Sequence, residues 1–476
     1  VHAFYDILKS SRDPFFTRYF SQAAMVHTCI KKEASDGFKL ITQAGDMSLR
    51  QLENELMVLR RSCRPLQLKC VALQGSAEHV IKWMFVLDGF AKDIVLVPQV
   101  SCARFIFNIC EKVSVDEVVT DSTVDSSNWP DDVSVHVPGS QQHDSNFPVQ
   151  SSKTVCTRWL VVTSGTTGTG KIVSHTFKSL TRTIAKDFRQ RDLVWGLMYD
   201  PCRFAGLQVM LNAVINGVPL AVTDAADSIE KRTEFLTETG VSAMSGTPTL
   251  WRKILMTEFG PKMRLRQITL GGEAADKGIL TALKHKFPYA HITHIYASTE
   301  AGVGFSVHDG KEGFPLSWLE TAVKGVELAV SPENTLKIRS CAQTQSYVGH
   351  SATIFENDGW HDTGDLVEQV DDRMVFRGRL NGSINVGGNK VMPEEVERHI
   401  EKLECVAAAL VKGRSSSIMG NLLEVSVVLA VPIDKSELKK LVRDHCSAHL
   451  AGYKVPRFVK IINEIPATQA GKILRT

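Results

Sequence analysis

Residues 163–171, TSGTTGTGK, carry five hydroxyl side chains, three glycines and one lysine in nine positions. The backbone N–H groups of such a loop, the hydroxyls of Thr163, Ser164, Thr166, Thr167 and Thr169, and the ammonium of Lys171 form a donor set suited to a phosphate chain. Gly165, Gly170 and Lys171 fit the GxxxxGK of a Walker loop. That motif continues at once with Ser or Thr, whose hydroxyl ligates the magnesium ion of ATP, and here Ile172 follows. The flanking runs RWLVV and KIVSH read as strands, so no helix N-terminus follows the loop to hold phosphate. The Walker reading is set aside. A loop that holds a phosphate chain and a glycine-rich surface turn both remain open on these residues alone.

The elements that must position this loop read as α/β. KCVALQG, HVIKWMFVLDGF and DIVLVP follow one another as strand, helix and strand, which favours parallel pairing. Ahead of them MSLRQLENELMVLRR reads as a helix capped by Ser48, with Leu49, Leu52, Leu56 and Leu59 on one face. A helix TFKSLTRTIAKDF is expected after the loop. Residues 120–153, rich in Ser, Asp, Gln and Pro, read as a long surface connection. VEQVDDRMVFRGR alternates around an Asp-Asp turn and predicts a hairpin ending near Arg379. PEEVERHIEKL, EVSVVLAV and SELKKLVRDHCSAHL then predict a compact tail of helix, strand and helix, with a boundary near Asn381.

Composition narrows the function classes. With 43% hydrophobic residues, 22% charged residues and a net charge of +3, the chain is neither disordered nor a nucleic-acid-coating protein. The ten cysteines are scattered without a CxxC pair, so disulfides are not expected and a cytoplasmic setting is. No transmembrane segment is expected, since LLEVSVVLAVPI is too short and carries Glu424. VHAFYDILKSSRD lacks a signal-peptide pattern, and because residue 1 is Val, a leader removed upstream would be invisible.

Four more motifs follow the loop: YASTE at 296–300, HDTGDL at 361–366, FRGRLNGSINVGGNKVMPEEVE at 376–397 and PATQAGKILR at 466–475. In this order, with TSGTTGTGK, they resemble the signature of the adenylate-forming superfamily, which includes acyl-CoA synthetases, aryl and acyl acid ligases, adenylation domains and beetle luciferases. A weaker similarity from LITQAGDMSLRQL to VLVP extends the resemblance over nearly the whole chain. It implies an α/β fold with a large N-terminal body of several subdomains with mixed sheets and helices, residues 1–378. A small mobile α+β C-terminal domain, 379–476, would carry the catalytic lysine.

The resemblance implies attack of a substrate carboxylate on the α-phosphorus of ATP, then transfer of the acyl group to a pantetheine thiol of coenzyme A or a carrier protein. A carboxylic acid of pKa roughly 4 is already ionised at neutral pH, so the task is to neutralise charge, not to remove a proton. By resemblance Thr163, Ser164, Gly165, Thr166, Thr167, Gly168 and Lys171 line the β- and γ-phosphates. Gly271, Gly272 and Glu273 border the adenine and acyl sites. Tyr296, followed by Ala297 and Ser298, lies against adenine. Thr299 contacts the α-phosphate, Glu300 helps hold Mg2+, and Asp365 and Arg379 reach the ribose. Lys472 is the mobile catalytic lysine, Asn381 the hinge, and Gly387 and Gly388 pass a pantetheine arm. Phe204, Gly246, Gly302 and Val303 are candidates to line the acyl pocket.

The chain departs from the family pattern at Gly170, where Pro is usual, at Ala297, where Gly is usual, and at Asn381, where Asp or Lys is more frequent. An acyl or aryl acid is expected over an α-amino acid, because no Asp stands just after PCRFAGL to grip an ammonium group. The alternatives are an amino-acid-activating adenylation domain, a non-catalytic adenylate-binding scaffold, a Walker-type ATPase and a luciferase-like oxidative second step. His445 and His449 stand at i and i+4 on an expected helix but without a third ligand in view, so they read as a solvated face. His175, His291 and His294 read as structural.

Overall fold

Short runs of apolar side chains between turn residues become strands buried on both faces, the pattern a helix-covered parallel sheet requires. The computed structural model describes residues 37–62, 66, 68–99, 101–138, 156–163, 171–184, 190–298, 302–340, 346–348, 359–386, 389–416, 420–466 and 473. These fall into two compact units. One comprises the described residues through Gly272 with those of 281–303 and 346–348; the other comprises 273–280, 304–340 and the described residues from Gly359 onward.

In the first unit Cys70–Leu73, the helix Ala77–Leu87 and Asp93–Leu96 form the expected strand, helix and parallel strand. Ser76 caps the helix by accepting from the His79 backbone N–H. Arg158–Val162 joins Asp93–Leu96 in parallel, and Ile172–His175 joins Arg158–Val162 antiparallel. A second sheet orders Trp195–Leu197, Ala243–Gly246, Gln267–Gly271 and His291–Ser298 with every adjacent pair parallel. One buried cluster serves both sheets, with Trp83, Met84, Trp159, Leu197, Leu207 and Met210 among its members.

Two sequence-based expectations need correction here. Within the segment expected to be a surface connection, Ser134–His136 adds a parallel edge strand beside Glu117–Val119. Trp129 anchors it, only 5% exposed, its indole N–H donating to Gln74 Oε1 at 2.9 Å. Two apolar residues, Trp129 and Val133, suffice to dock a stretch whose average composition is polar. The helix after the loop is described only over Phe177–Thr181, with Thr176 and Ser179 forming a reciprocal capping box, and a turn follows at Arg182.

In the second unit the hairpin is as expected. Trp360–Val370 and Arg373–Arg379 pair antiparallel around Asp371 and Asp372. Thr335–Ser340 and Val326–Val330 extend the sheet on one side and Phe314–Pro315 on the other. Gly313 at φ +67° brings its backbone against Met374, where a Cβ would stand 2.0 Å from the carbonyl oxygen. Arg373 ties the preceding turn by donating to the Glu312 and Gly313 carbonyls and to Asp309. The C-terminal elements are the helix Pro393–Ile400, strands Val406–Ser416 and Gly420–Leu429, the helix Lys435–His449 and the strand Phe458–Ile461. Val396, Ile400, Leu438, Val442, Val425 and Val459 fill their shared core. Among the described residues no helix is long and apolar enough to cross a membrane.

Candidate active site

The base of the Thr/Gly-rich loop is held by its own ends. Val162 pairs with Ile172 across two antiparallel strands, Thr163 N–H donates to the Lys171 carbonyl at 2.8 Å, and Lys171 N–H donates to Thr163 Oγ1 at 3.1 Å. Thr163 therefore closes the loop as well as offering a hydroxyl. Ser164, Gly165, Thr166, Thr167 and Gly168 lie outside the described residues.

The carboxyl ends of the parallel strands collect the other candidates of the first unit. Gly246 ends Ala243–Gly246, Gly271 ends Gln267–Gly271, and Tyr296, Ala297 and Ser298 end His291–Ser298, in a register that pairs Gly246 with Leu270 and Gly271 with Ile295. In open α/β sheets this edge is where ligands bind. Tyr199 Oη donates to the Gly271 carbonyl at 3.4 Å, and Gly272 turns the chain away at φ +82°. Gly246 is less open than its type suggests, since a Cβ there would meet the Trp251 indole at 3.1 Å. Phe204 starts the helix Phe204–Asn216 and stacks near His175, ring centroids 5.6 Å apart. Gly302 takes φ +71°, and Val303 packs on the core cluster as Ala297 does. His294 is buried within its strand and His291 is exposed. Thr299 and Glu300 lie outside the described residues.

One residue was not singled out from sequence. Arg203, the N-cap of Phe204–Asn216, donates from Nη1 to the Val162 carbonyl at 3.0 Å, joining the start of that helix to the strand that leads into the loop. A charged residue inside an otherwise apolar run was the available signal. Asp200, three residues earlier, is fully buried and accepts from the Cys202 N–H at 2.8 Å; burial pushes its carboxyl up from the ordinary range.

In the second unit Asp365 and Arg379 are cross-strand partners, and Arg379 Nε donates to Asp365 Oδ1 at 2.8 Å. Thr363 Oγ1 accepts from the Asp365 N–H and donates to the Leu336 carbonyl, so the strand bearing Asp365 is braced on its neighbour. Gly364 takes φ +67° in this turn. Beyond Arg379 the chain makes a single 3₁₀ turn, Leu380–Gly382, which contains Asn381. Glu273 accepts at Oε1 from the Ile473 N–H at 3.0 Å. Gly387, Gly388 and Lys472 lie outside the described residues. Among the described residues no group of three or more His, Cys, Asp or Glu is arranged to hold a metal ion.

Comparison with known proteins follows the same outline. A 2-succinylbenzoate–CoA ligase of Listeria monocytogenes serotype 4b is 25% identical over 327 residues, covering 66% of this chain and 68% of that protein. The crystal structure of an anthranilate CoA ligase in complex with anthranoyl-AMP superposes with a TM-score of 0.78 at 19% identity, covering 96% of both chains. The o-succinylbenzoate CoA synthetase of Bacillus subtilis in complex with its acyl-adenylate intermediate gives 0.72 at 19% identity, covering 95% of this chain and 97% of that one. The family model for the AMP-binding enzyme C-terminal domain matches residues 395–472. The model for the AMP-binding enzymes matches residues 87–345, more than half of the chain, and the chain belongs to that family.

Proposed function

We propose that this chain is an AMP-forming carboxylate ligase. The carboxylate of an acyl or aryl acid attacks the α-phosphorus of ATP, forming an acyl adenylate and releasing pyrophosphate. A pantetheine thiol then attacks the acyl carbon and AMP leaves. The observation that carries this reading is the register of the first unit's parallel strands, which brings Gly246, Gly271 and the Tyr296–Ser298 end together at the carboxyl edge where open α/β sheets bind ligands.

The chain's own groups then divide the work. The loop begun by Thr163 and ended by Lys171 wraps the outer phosphates, and Lys472 stands between the two anions that must meet. Asp365, held in place by Arg379 and by its backbone bond to Thr363, accepts from the ribose hydroxyls. Tyr296 at its strand end meets the adenine. A magnesium ion, for which Glu300 is the proposed ligand, supplies charge neutralisation on the phosphates when bound. Residues 379–476 form the mobile part, hinged at Asn381.

The acid is proposed to be aromatic or otherwise apolar. The relatives are named for 2-succinylbenzoate and anthranilate. Asp200, the carboxylate nearest the PCRFAGL segment in sequence, is buried and accepts from the Cys202 N–H, so it is engaged inside the fold rather than presented to an α-ammonium. Coenzyme A is the proposed thiol, as in the names of those relatives, with a carrier-protein pantetheine as the alternative.

Exchange of labelled pyrophosphate into ATP tests the first half-reaction. The reading predicts exchange that depends on adding an acid from a panel of aryl and alkyl carboxylates. ATP binding without exchange for any acid would instead fit a scaffold, and release of ADP would fit an ATPase.

A further inference from the structure

The helix Phe204–Asn216 grips the base of the Thr/Gly-rich loop from both sides. Arg203 Nη1, at its N-cap, donates to the Val162 carbonyl at 3.0 Å, on the strand that leads into the loop. Phe204 places its ring centroid 5.6 Å from that of His175, the last residue of the strand that leads out. One turn along the same helix face, Gln208 Nε2 donates at 2.7 Å to the carbonyl of Leu180, in the short helix that follows. Side chains at 203, 204 and 208 thus hold both arms from which the loop springs.

Arg203 holds the arm next to the loop itself. Val162 lies one residue beyond the last parallel pair with the neighbouring strand, Leu96 with Val161, and one residue before Thr163, which closes the loop onto Lys171. The parallel ladder has ended, and the Arg203 guanidinium binds the Val162 carbonyl there. This side chain comes from a fixed turn. Arg203 N–H donates to the Asp200 carbonyl at 3.0 Å, and Cys202 N–H donates to Asp200 Oδ1 at 2.8 Å. Gly206 lets the turn lie so close that a Cβ there would stand 2.2 Å from the Asp200 carbonyl oxygen. Arg203 Nε is enclosed without a hydrogen-bond partner, so the guanidinium takes its orientation from the Val162 carbonyl. Burial lowers the Arg203 pKa from the ordinary arginine range, and the nearby Asp200 carboxyl opposes that shift. A guanidinium stays charged at neutral pH, and its bond to a carbonyl is stronger than one between neutral groups.

We propose that Arg203 is a positioning residue for the phosphate loop: by holding the Val162 carbonyl it fixes the direction in which the chain enters the loop, and with it the donors that receive the β- and γ-phosphates of ATP. The assignment rests on the reading of this chain as an ATP-dependent ligase. Arg203 acts through Val162 rather than on the reacting atoms. Backbone donors in a loop hold phosphate only when their N–H groups point inward together, so a small shift at the entry is felt at the outer phosphates. AMP carries only the α-phosphate, which this loop does not serve. Loss of Arg203 therefore separates ATP from AMP.

The test compares binding of Mg-ATP and of AMP to the full chain by calorimetry, alongside acid-dependent pyrophosphate exchange. Arg203→Met keeps the apolar stem and removes the donors. It is expected to raise the Kd of Mg-ATP ~10-fold or more, the scale of one hydrogen bond to a charged group, with the Kd of AMP unchanged. The pyrophosphate concentration needed for half-maximal exchange should rise with it. If Arg203→Met does not fold, Arg203→Gln, shorter and neutral, should show the same selective loss. Unchanged Mg-ATP affinity in a folded variant overturns the assignment. So does an equal loss for ATP and AMP, which would mark Arg203 as support for the whole fold. A wild type that exchanges pyrophosphate with no acid would overturn the functional reading and this assignment with it. Exchange in the wild type together with unchanged ATP affinity in Arg203→Met would overturn the role of Arg203 alone.

Discussion

Lys472→Ala is expected to slow adenylate formation ~10³-fold while leaving thioester formation from supplied acyl adenylate largely intact. The magnitude follows from the charges. Two unit charges about 4 Å apart at an effective dielectric constant of about 20 repel by about 4 kcal/mol. At about 1.4 kcal/mol per decade this is close to three decades of rate. An ammonium between the incoming carboxylate and the α-phosphate removes most of that barrier, and the second half-reaction, in which no second anion approaches that phosphorus, does not need it. The hydrogen bond between Ile473 and Glu273 gives the neighbouring backbone a fixed partner. Pyrophosphate exchange reads the first step, and AMP release from pre-made adenylate with coenzyme A reads the second. Equal loss of both would contradict the assigned role.

The second large effect is expected at the hinge. Asn381→Pro should reduce thioester formation ~10²-fold, the scale of loss when a reacting group is misplaced, with adenylation retained. Arg379 is extended at φ −107° and ψ 136°, Leu380–Gly382 makes one 3₁₀ turn, and Ser383 Oγ donates back to the Leu380 carbonyl at 3.1 Å. Proline fixes φ near −65°, inside the range of that turn, and restricts the residue before it. Conformations that need another φ at position 381, or a freely helical Leu380, are lost. Single-turnover assays of each half-reaction check this, with Asn381→Ala as the variant expected to keep both. Undiminished thioester formation in the proline variant would place the pivot elsewhere.

How far the sequence could be read depended on the range of the interactions involved. Cys70–Leu73 and Asp93–Leu96 were legible because short runs of buried apolar residues admit few other structures, and the Asp371–Asp372 hairpin because its alternation is local. The strand Ser134–His136 was not, since its docking rests on Trp129 meeting Gln74, residues 55 positions apart. The same holds in the site. Loop chemistry and the order of motifs are written in the chain, but the bond from Arg203 to Val162, residues 41 positions apart, exists only once distant segments meet.

The central claim is that a carboxylate oxygen bonds to the α-phosphorus of ATP. Turnover of an acid carrying 18O in both carboxylate oxygens, with ATP and coenzyme A, tests it at the atom concerned. The account predicts one labelled oxygen in each AMP released and none in pyrophosphate. Unlabelled AMP, or label in inorganic phosphate formed together with ADP, would contradict it.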